Sequence, residues 1–145
     1  MGKRWTVMHG IMRARCAWSE YVREISLAEG IPDSYRQVIM FLHRNPGASQ
    51  RGIAEFVGVT TSAINQVVKS MTEEGYLRKE ADPSDKRSCK LYLTGSGEDA
   101  ASRLRKKLDE ADDAITDFIG AEREQELMEL LHRLTDFIRK DLGQC

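Results

Sequence analysis

The sequence predicts a mainly α fold (α+β overall), with long helices at both ends and one β-hairpin late in the central part. Three observations support this. Apolar residues recur at spacings of three and four over residues 8–28 and again over 100–142. Gly, Pro and Asn clusters cut the middle into short pieces, and only residues 89–94 show strict alternation. The first pattern is helical, the second marks turns, and the third is that of a half-buried strand.

The first helix is predicted over residues 3–29, with Met8, Ile11, Met12, Trp18, Tyr21, Val22, Ile25 and Ala28 on one stripe. Gly30-Ile31-Pro32 ends it, because Gly suits the position after a helix and Pro cannot continue the ladder. Asp33 or Ser34 is expected to cap a second helix through His43, with Tyr35, Val38, Ile39, Phe41 and Leu42 inward, before the turn Asn45-Pro46-Gly47. Ser49 opens a short third helix over residues 50–57 that buries Ile53, Ala54 and Phe56. After Gly58-Val59, Thr60 is the expected N-cap of a fourth helix reaching about Glu74. Ile64, Val67, Val68 and Met71 face inward there, and Gly75 stops the helix.

Residues 76–80 and 89–94 then read as two strands joined by a polar turn over 82–88, with Cys89, Leu91 and Leu93 on the inner face. Helix resumes from Gly97 with the stripe Ala100, Leu104, Leu108, Ala111, Ile115, Phe118 and Ile119. Gly120 interrupts it before Leu127, Leu130, Leu131, Leu134, Phe137, Ile138 and Leu142. The order helix, short helix, turn, helix, hairpin is a winged helix-turn-helix. Stripes this strong at both ends exceed what a small centre can cover, so they are expected to pack on a second subunit. Residues 33–96 are thus assigned to the winged helix-turn-helix, and residues 1–32 and 97–145 to a helical dimerisation base.

Charge narrows the function. The chain of 145 residues is 31% charged with a formal net charge of −1, yet the sign is unevenly placed. Residues 1–45 carry seven Lys/Arg against four Asp/Glu, residues 46–96 seven against six, and residues 97–145 eight against thirteen. A protein that coats nucleic acid indiscriminately would be basic throughout, so DNA binding here requires one positive face with the acidic end turned away. No window approaches a membrane span of about 20 apolar residues and no signal peptide is evident, so no membrane partner is expected. Cys16, Cys89 and Cys145 are too far apart for a disulfide framework or a structural zinc site, which points to a reducing, cytoplasmic setting.

The outer face of the fourth helix carries Thr61, Ser62, Ala63, Asn65, Gln66 and Lys69. Asn and Gln can bond adenine bidentately, a threonine or alanine methyl can touch thymine, and lysine can meet phosphate. Thr60 at the cap, and Ser49, Gln50 and Arg51 at the start of the third helix, complete the candidate surface. The hairpin reads Asp85-Lys86-Arg87-Ser88-Cys89-Lys90-Leu91-Tyr92-Leu93-Thr94, followed by Gly97. This closely resembles the wing signature D-x-R-x-x-x-L-x-L-T of the MarR (multiple-antibiotic-resistance regulator) family. Ser49-Gln50, Ile53-Ala54, Gly58-Val59 and Gly75-Tyr76-Leu77 resemble the family upstream. Lys86 and Arg87 at a protruding tip can enter a narrow minor groove, with Asp85 placed to hold the Arg87 guanidinium. Two departures stand out: Gln66 where the family commonly has Arg, and Gly52 inside the short third helix.

The resemblance implies a homodimeric transcription regulator on a pseudo-palindromic duplex, most often a repressor released by a small aromatic or phenolic effector. Trp5, Met8, His9, Met12, Arg13 and Arg36 are the residues assigned to such a cavity, and no cofactor is expected. Two alternatives stay open: a thiol-based redox regulator acting through Cys16, and a winged-helix protein-interaction module that no longer binds DNA. His9, His43 and His132 are scattered, with no metal-ligand spacing, nucleophile elbow or phosphate loop, so neither a metal site nor an enzyme is expected.

Overall fold

The computed structural model describes residues 6–142, with Lys86 described by its backbone alone. These fall into two compact units that divide between Lys107 and Leu108. In the first unit the elements are α1 (Val7–Ala28), α2 (Asp33–Arg44), α3 (Gln50–Val57), α4 (Thr61–Glu73), β1 (Leu77–Asp82), β2 (Asp85–Leu93) and the first half of α5 (Gly95–Ile119). The second contains the remainder of α5 and α6 (Ala121–Phe137), which runs on into a wide π turn over Ile138–Leu142.

Local chemistry sets the helix ends. Thr6, Ser49 and Thr60 are extended N-cap residues whose hydroxyls accept the backbone N–H of His9, Gly52 and Ala63. Gly58 (φ 77°) and Gly75 (φ 82°) follow α3 and α4 in the left-handed region, where a side chain would be strained. The cap of α2 differs from expectation. Pro32 occupies that position with no side-chain cap, and Asp33 sits in the first turn, accepting from Arg36 Nε at 2.8 Å and Gln37 Nε2 at 3.2 Å. Proline presets φ there, while the carboxylate favours the positive end of the helix dipole.

One core organises the first unit. Ile31, Val38, Ile39 and Leu42 from α2 and its approach meet Ile53 of α3 and Ile64, Val68 and Met71 of α4. Leu77, Leu91 and Leu93 close it from the sheet, and Ala100, Ala101 and Leu104 from α5. Phe56, expected inside, is 64% exposed. It lies beyond the rim of this core and packs its ring on Phe41, with centroids 4.6 Å apart. On α1 only Val22 and Ser26 are buried; the Ser26 hydroxyl donates to Ile31 O at 2.6 Å, closing the turn into α2. Met8, Met12, Trp18 and Tyr21 stay exposed, as do Ile115, Phe118, Leu127, Leu130 and Leu131 in the second unit.

The hairpin is longer than expected. The antiparallel pairing runs from Leu77↔Leu93 to Asp82↔Asp85, with a register irregularity between Ala81 and Asp82. The turn is therefore only Pro83-Ser84, and residues 85–88 belong to a strand. They lie past the buried part of β2, with Asp85 and Arg87 exposed and Ser88 half-buried, so no apolar alternation marks them. Cys89, expected inward, is exposed for the same reason: Leu91 and Leu93 are the last residues of β2 that the core reaches. Gly47 and Ala48 pair with Leu91, by Gly47 N–H to Leu91 O at 2.8 Å and Leu91 N–H to Ala48 O at 3.0 Å, so the turn before α3 is tied to the sheet.

A second tie gathers at the end of α4. Tyr35 is 8% exposed, and its hydroxyl donates to Glu74 Oε1 at 2.7 Å. Burial first, then Glu74, push that hydroxyl above the ordinary tyrosine range, which keeps it a donor. Thr94 N–H donates to Tyr76 O at 3.0 Å, its hydroxyl donates to Gly75 O, and the same hydroxyl caps α5 by accepting from Gly97 N–H at 3.2 Å. At Gly97 the backbone is so close to Tyr76 O that an added Cβ would collide with that carbonyl and crowd Leu93. Gly97→Ala should therefore cost about 1–3 kcal/mol, as overpacking does. Gly95→Ala, which meets open space, should cost nothing measurable. Urea unfolding of both variants checks this, and equal midpoints would contradict it.

Candidate nucleic-acid interface

Every position on the predicted outer face of α4 is exposed: Thr61, Ser62, Ala63, Asn65, Gln66 and Lys69, along with the cap Thr60. The reason is the burial of Ile64, Val68 and Met71 on the opposite face. With 1.5 Å of rise per residue, Thr61 to Lys69 spans about 12 Å, the width of a B-DNA major groove. Lys69 Nζ lies 3.9 Å from Glu73 one turn on. Such an exposed pair is weak and exchanges readily for a phosphate.

At the start of α3, Ser49 and Gln50 are half-buried and Arg51 exposed. The Ser49 hydroxyl is occupied by Gly52 N–H at 3.1 Å, and Arg51 Nε bonds Glu55 Oε1 at 2.9 Å. An added Cβ at Gly52 would meet Ser49 Oγ at 3.5 Å, an ordinary contact. No close approach by another described element therefore calls for glycine there.

The wing tip is held by two aspartates. Asp82 Oδ1 accepts Ser84 N–H at 2.9 Å and the Ser84 hydroxyl at 2.7 Å. These bonds, the hydroxyl's foremost, hold its carboxyl below the usual carboxylate range, with Lys90 adding to the effect. Asp85 Oδ1 accepts Arg87 N–H at 2.9 Å. The expected grip on the Arg87 guanidinium is replaced by this main-chain bond. A short aspartate side chain reaches its own backbone two residues on more readily than it reaches the end of a long arginine. Arg87 itself is exposed. The fixed positions of the wing motif thus have different roles. Asp85 shapes the turn, Leu91 and Leu93 enter the core, Thr94 caps α5, and Arg87 projects.

The hairpin carries further cations outside the wing motif's fixed positions. Arg78 is paired with Glu80 and stacks over the Tyr92 ring, 4.6 Å from its centroid, while Lys90 Nζ is 4.0 Å from Asp82. Their register was the available signal: Arg78 lies opposite Tyr92, and Glu80 opposite Lys90, all on the outward face.

The residues assigned to an effector cavity are only partly brought together. His9, Met12 and Arg13 line an open groove of about 330 Å³ along α1, with Cys16, Ala17 and Glu20. Met8 is exposed and not among its lining. Arg36 stands on α2 in its pair with Asp33. Trp5 lies outside the described residues. Among the described residues no cluster of His, Cys, Asp and Glu could hold a metal ion, and no helix is long and apolar enough to cross a membrane.

Comparison with known proteins agrees with this geometry. Residues 29–88 match the sequence model of the MarR family. A putative transcriptional regulatory protein for the hcr operon of Thauera aromatica is 27% identical over 118 residues, covering 81% of this chain and 71% of the relative. Among solved structures, the transcriptional repressor CouR bound to a 23-mer DNA duplex superposes with a TM-score of 0.76 at 22% identity, covering 90% of this chain and 92% of that one. NadR in complex with 4-hydroxyphenylacetate gives 0.74 at 24% identity, covering 92% and 95%. Its winged helix-turn-helix region, residues 29–88, with the start of the wing motif, is that of the MarR family of transcription regulators.

Proposed function

We propose that this protein is a sequence-specific, double-stranded-DNA-binding homodimeric repressor that acts in the cytoplasm and is released by a small aromatic effector. The observation that carries the reading is the fully exposed polar face of α4 beside a basic wing whose backbone is tied down at both ends. In this reading Asn65 and Gln66, with Ala63, Thr61 and Ser62, read base edges in the major groove. Ser49, Gln50, Arg51, Thr60 and Lys69 meet phosphates, and Lys86 and Arg87 reach the neighbouring minor groove. CouR's duplex-bound state supports DNA as the partner.

Surface that one chain leaves wet supports the dimer. Phe118 is 90% exposed, and the leucines of α6 and the apolar face of α1 are exposed with it. Large apolar side chains left exposed along a helix face mark an interface. Residues 1–32 and 97–145 would supply that base and residues 33–96 the reading head. Two copies would then face a pseudo-palindromic operator, with the acidic C-terminal part away from the phosphates.

Positioning and reading separate on mutation. Arg87→Ala should weaken binding to all duplexes alike and flatten the salt slope by about one unit. Asn65→Ala and Gln66→Ala should instead cost about 1–3 kcal/mol at particular base pairs only. Fluorescence anisotropy over a duplex panel and a salt series checks both; an Arg87→Ala protein with parental slope would contradict the wing assignment.

For the effector, the 4-hydroxyphenylacetate held by NadR supports a phenolic carboxylate. The α1 groove with Arg13 and His9 offers a cation and an aromatic wall for one. Salicylate-like compounds at millimolar concentration should weaken operator binding by the parent and less so by Arg13→Ala; an identical response of the two proteins would remove the groove from consideration.

A further inference from the structure

We infer that Tyr35 is a positioning residue for DNA reading: the bond from its hydroxyl to Glu74 sets the aim of α4 from its far end. The inference rests on the reading of α4 as the recognition helix.

The core fixes α4 incompletely. Ile64, Val68 and Met71 hold it through apolar contacts, which are not directional. The last of them lies three residues before Glu74, itself exposed. Glu74 is the C-cap of α4, and it is there that the Tyr35 hydroxyl binds, at 2.7 Å, in a hydrogen bond whose geometry is directional. The Tyr35 ring also meets Tyr76 edge-on, with centroids 6.0 Å apart, while Thr94 bonds the carbonyls of Gly75 and Tyr76. The end of α4 is therefore gripped between α2 and the start of α5.

Leverage makes that grip matter. Asn65 lies nine residues before Glu74, about 13 Å along the axis at 1.5 Å per residue. A tilt of about 4° about the far end moves it by about 1 Å. A reading side chain has to be held within about 0.5 Å of its productive place, so a loosened end would degrade base reading while leaving phosphate contacts largely intact. Tyr35 also stands in the first turn of α2, three residues after Pro32, while Arg103 of α5 joins Glu29 at 3.0 Å just before that turn. The same strut thus connects the recognition helix to the junction of α1, α2 and α5.

The test compares two duplexes: one that the parent protein selects from a randomised library, and one of scrambled sequence. Affinities are measured at a temperature where circular dichroism shows every variant folded. Tyr35→Phe should lower the ratio of selected to scrambled affinity about tenfold, with scrambled-duplex affinity within about twofold of the parent. Glu74→Ala should lower the ratio equally, and the double variant should fall no further than either single one. Glu74→Gln, whose amide oxygen still accepts the hydroxyl, should restore most of it. A residue that merely stabilises the fold would lower the melting temperature and leave the ratio unchanged. A ratio for Tyr35→Phe within twofold of the parent would overturn the inference while leaving the DNA-binding reading standing; a parent that selects no duplex would overturn both.

Discussion

Ile64, Val68 and Met71 lie at 0–2% exposure along one side of a 13-residue helix, and most of the interface follows from their burial. A helix has one face to give to a core, so the opposite residues at Thr61, Ser62, Asn65, Gln66 and Lys69 are delivered to solvent as a set. Truncating any of the three would open a cavity costing about 2–5 kcal/mol. It would also release the constraint that keeps the polar row facing one way.

The hairpin depends on the same core at one remove. Leu91 and Leu93 are its last anchored residues, and Gly47 and Ala48 lash Leu91 to the turn before α3. Beyond them the strands project with no core beneath, so order at the tip has to come from local bonds. Asp82 and Asp85 supply it by gathering backbone N–H groups. A tip held by main-chain bonds leaves the Arg87 side chain exposed, as a minor-groove probe would need. Thr94 and Gly97 close the other end of the hairpin against the exit of α4, so the wing and the recognition helix share one joint.

Much of this was legible in the chain itself. Helix spacing, N-cap residues at Ser49 and Thr60, and glycines after α3 and α4 mark those two helices to within a residue or two, because each signal is local. The outer face of α4 follows from the same periodicity. What escaped was set by distance from the core. Residues 85–88 form strand without alternating, Cys89 continues an inward pattern past the point where there is anything to face, and Phe56 lies on the rim with only Phe41 for company. Asp85 next to Arg87 invites an ion pair on paper, yet the backbone N–H is the nearer donor. The bond between Tyr35 and Glu74 joins residues 39 apart, and no local pattern announces such a contact.

The central claim is that two copies of α4 read two half-sites of one duplex. Selection of bound fragments from a randomised duplex library, followed by footprinting of the enriched sequence, tests it most directly. The expected result is an inverted repeat whose half-sites are centred about one helical turn apart, ~34–36 Å, both protected at the same protein concentration. Failure of any sequence to enrich, or a single half-site protected by one copy of the chain, would contradict it.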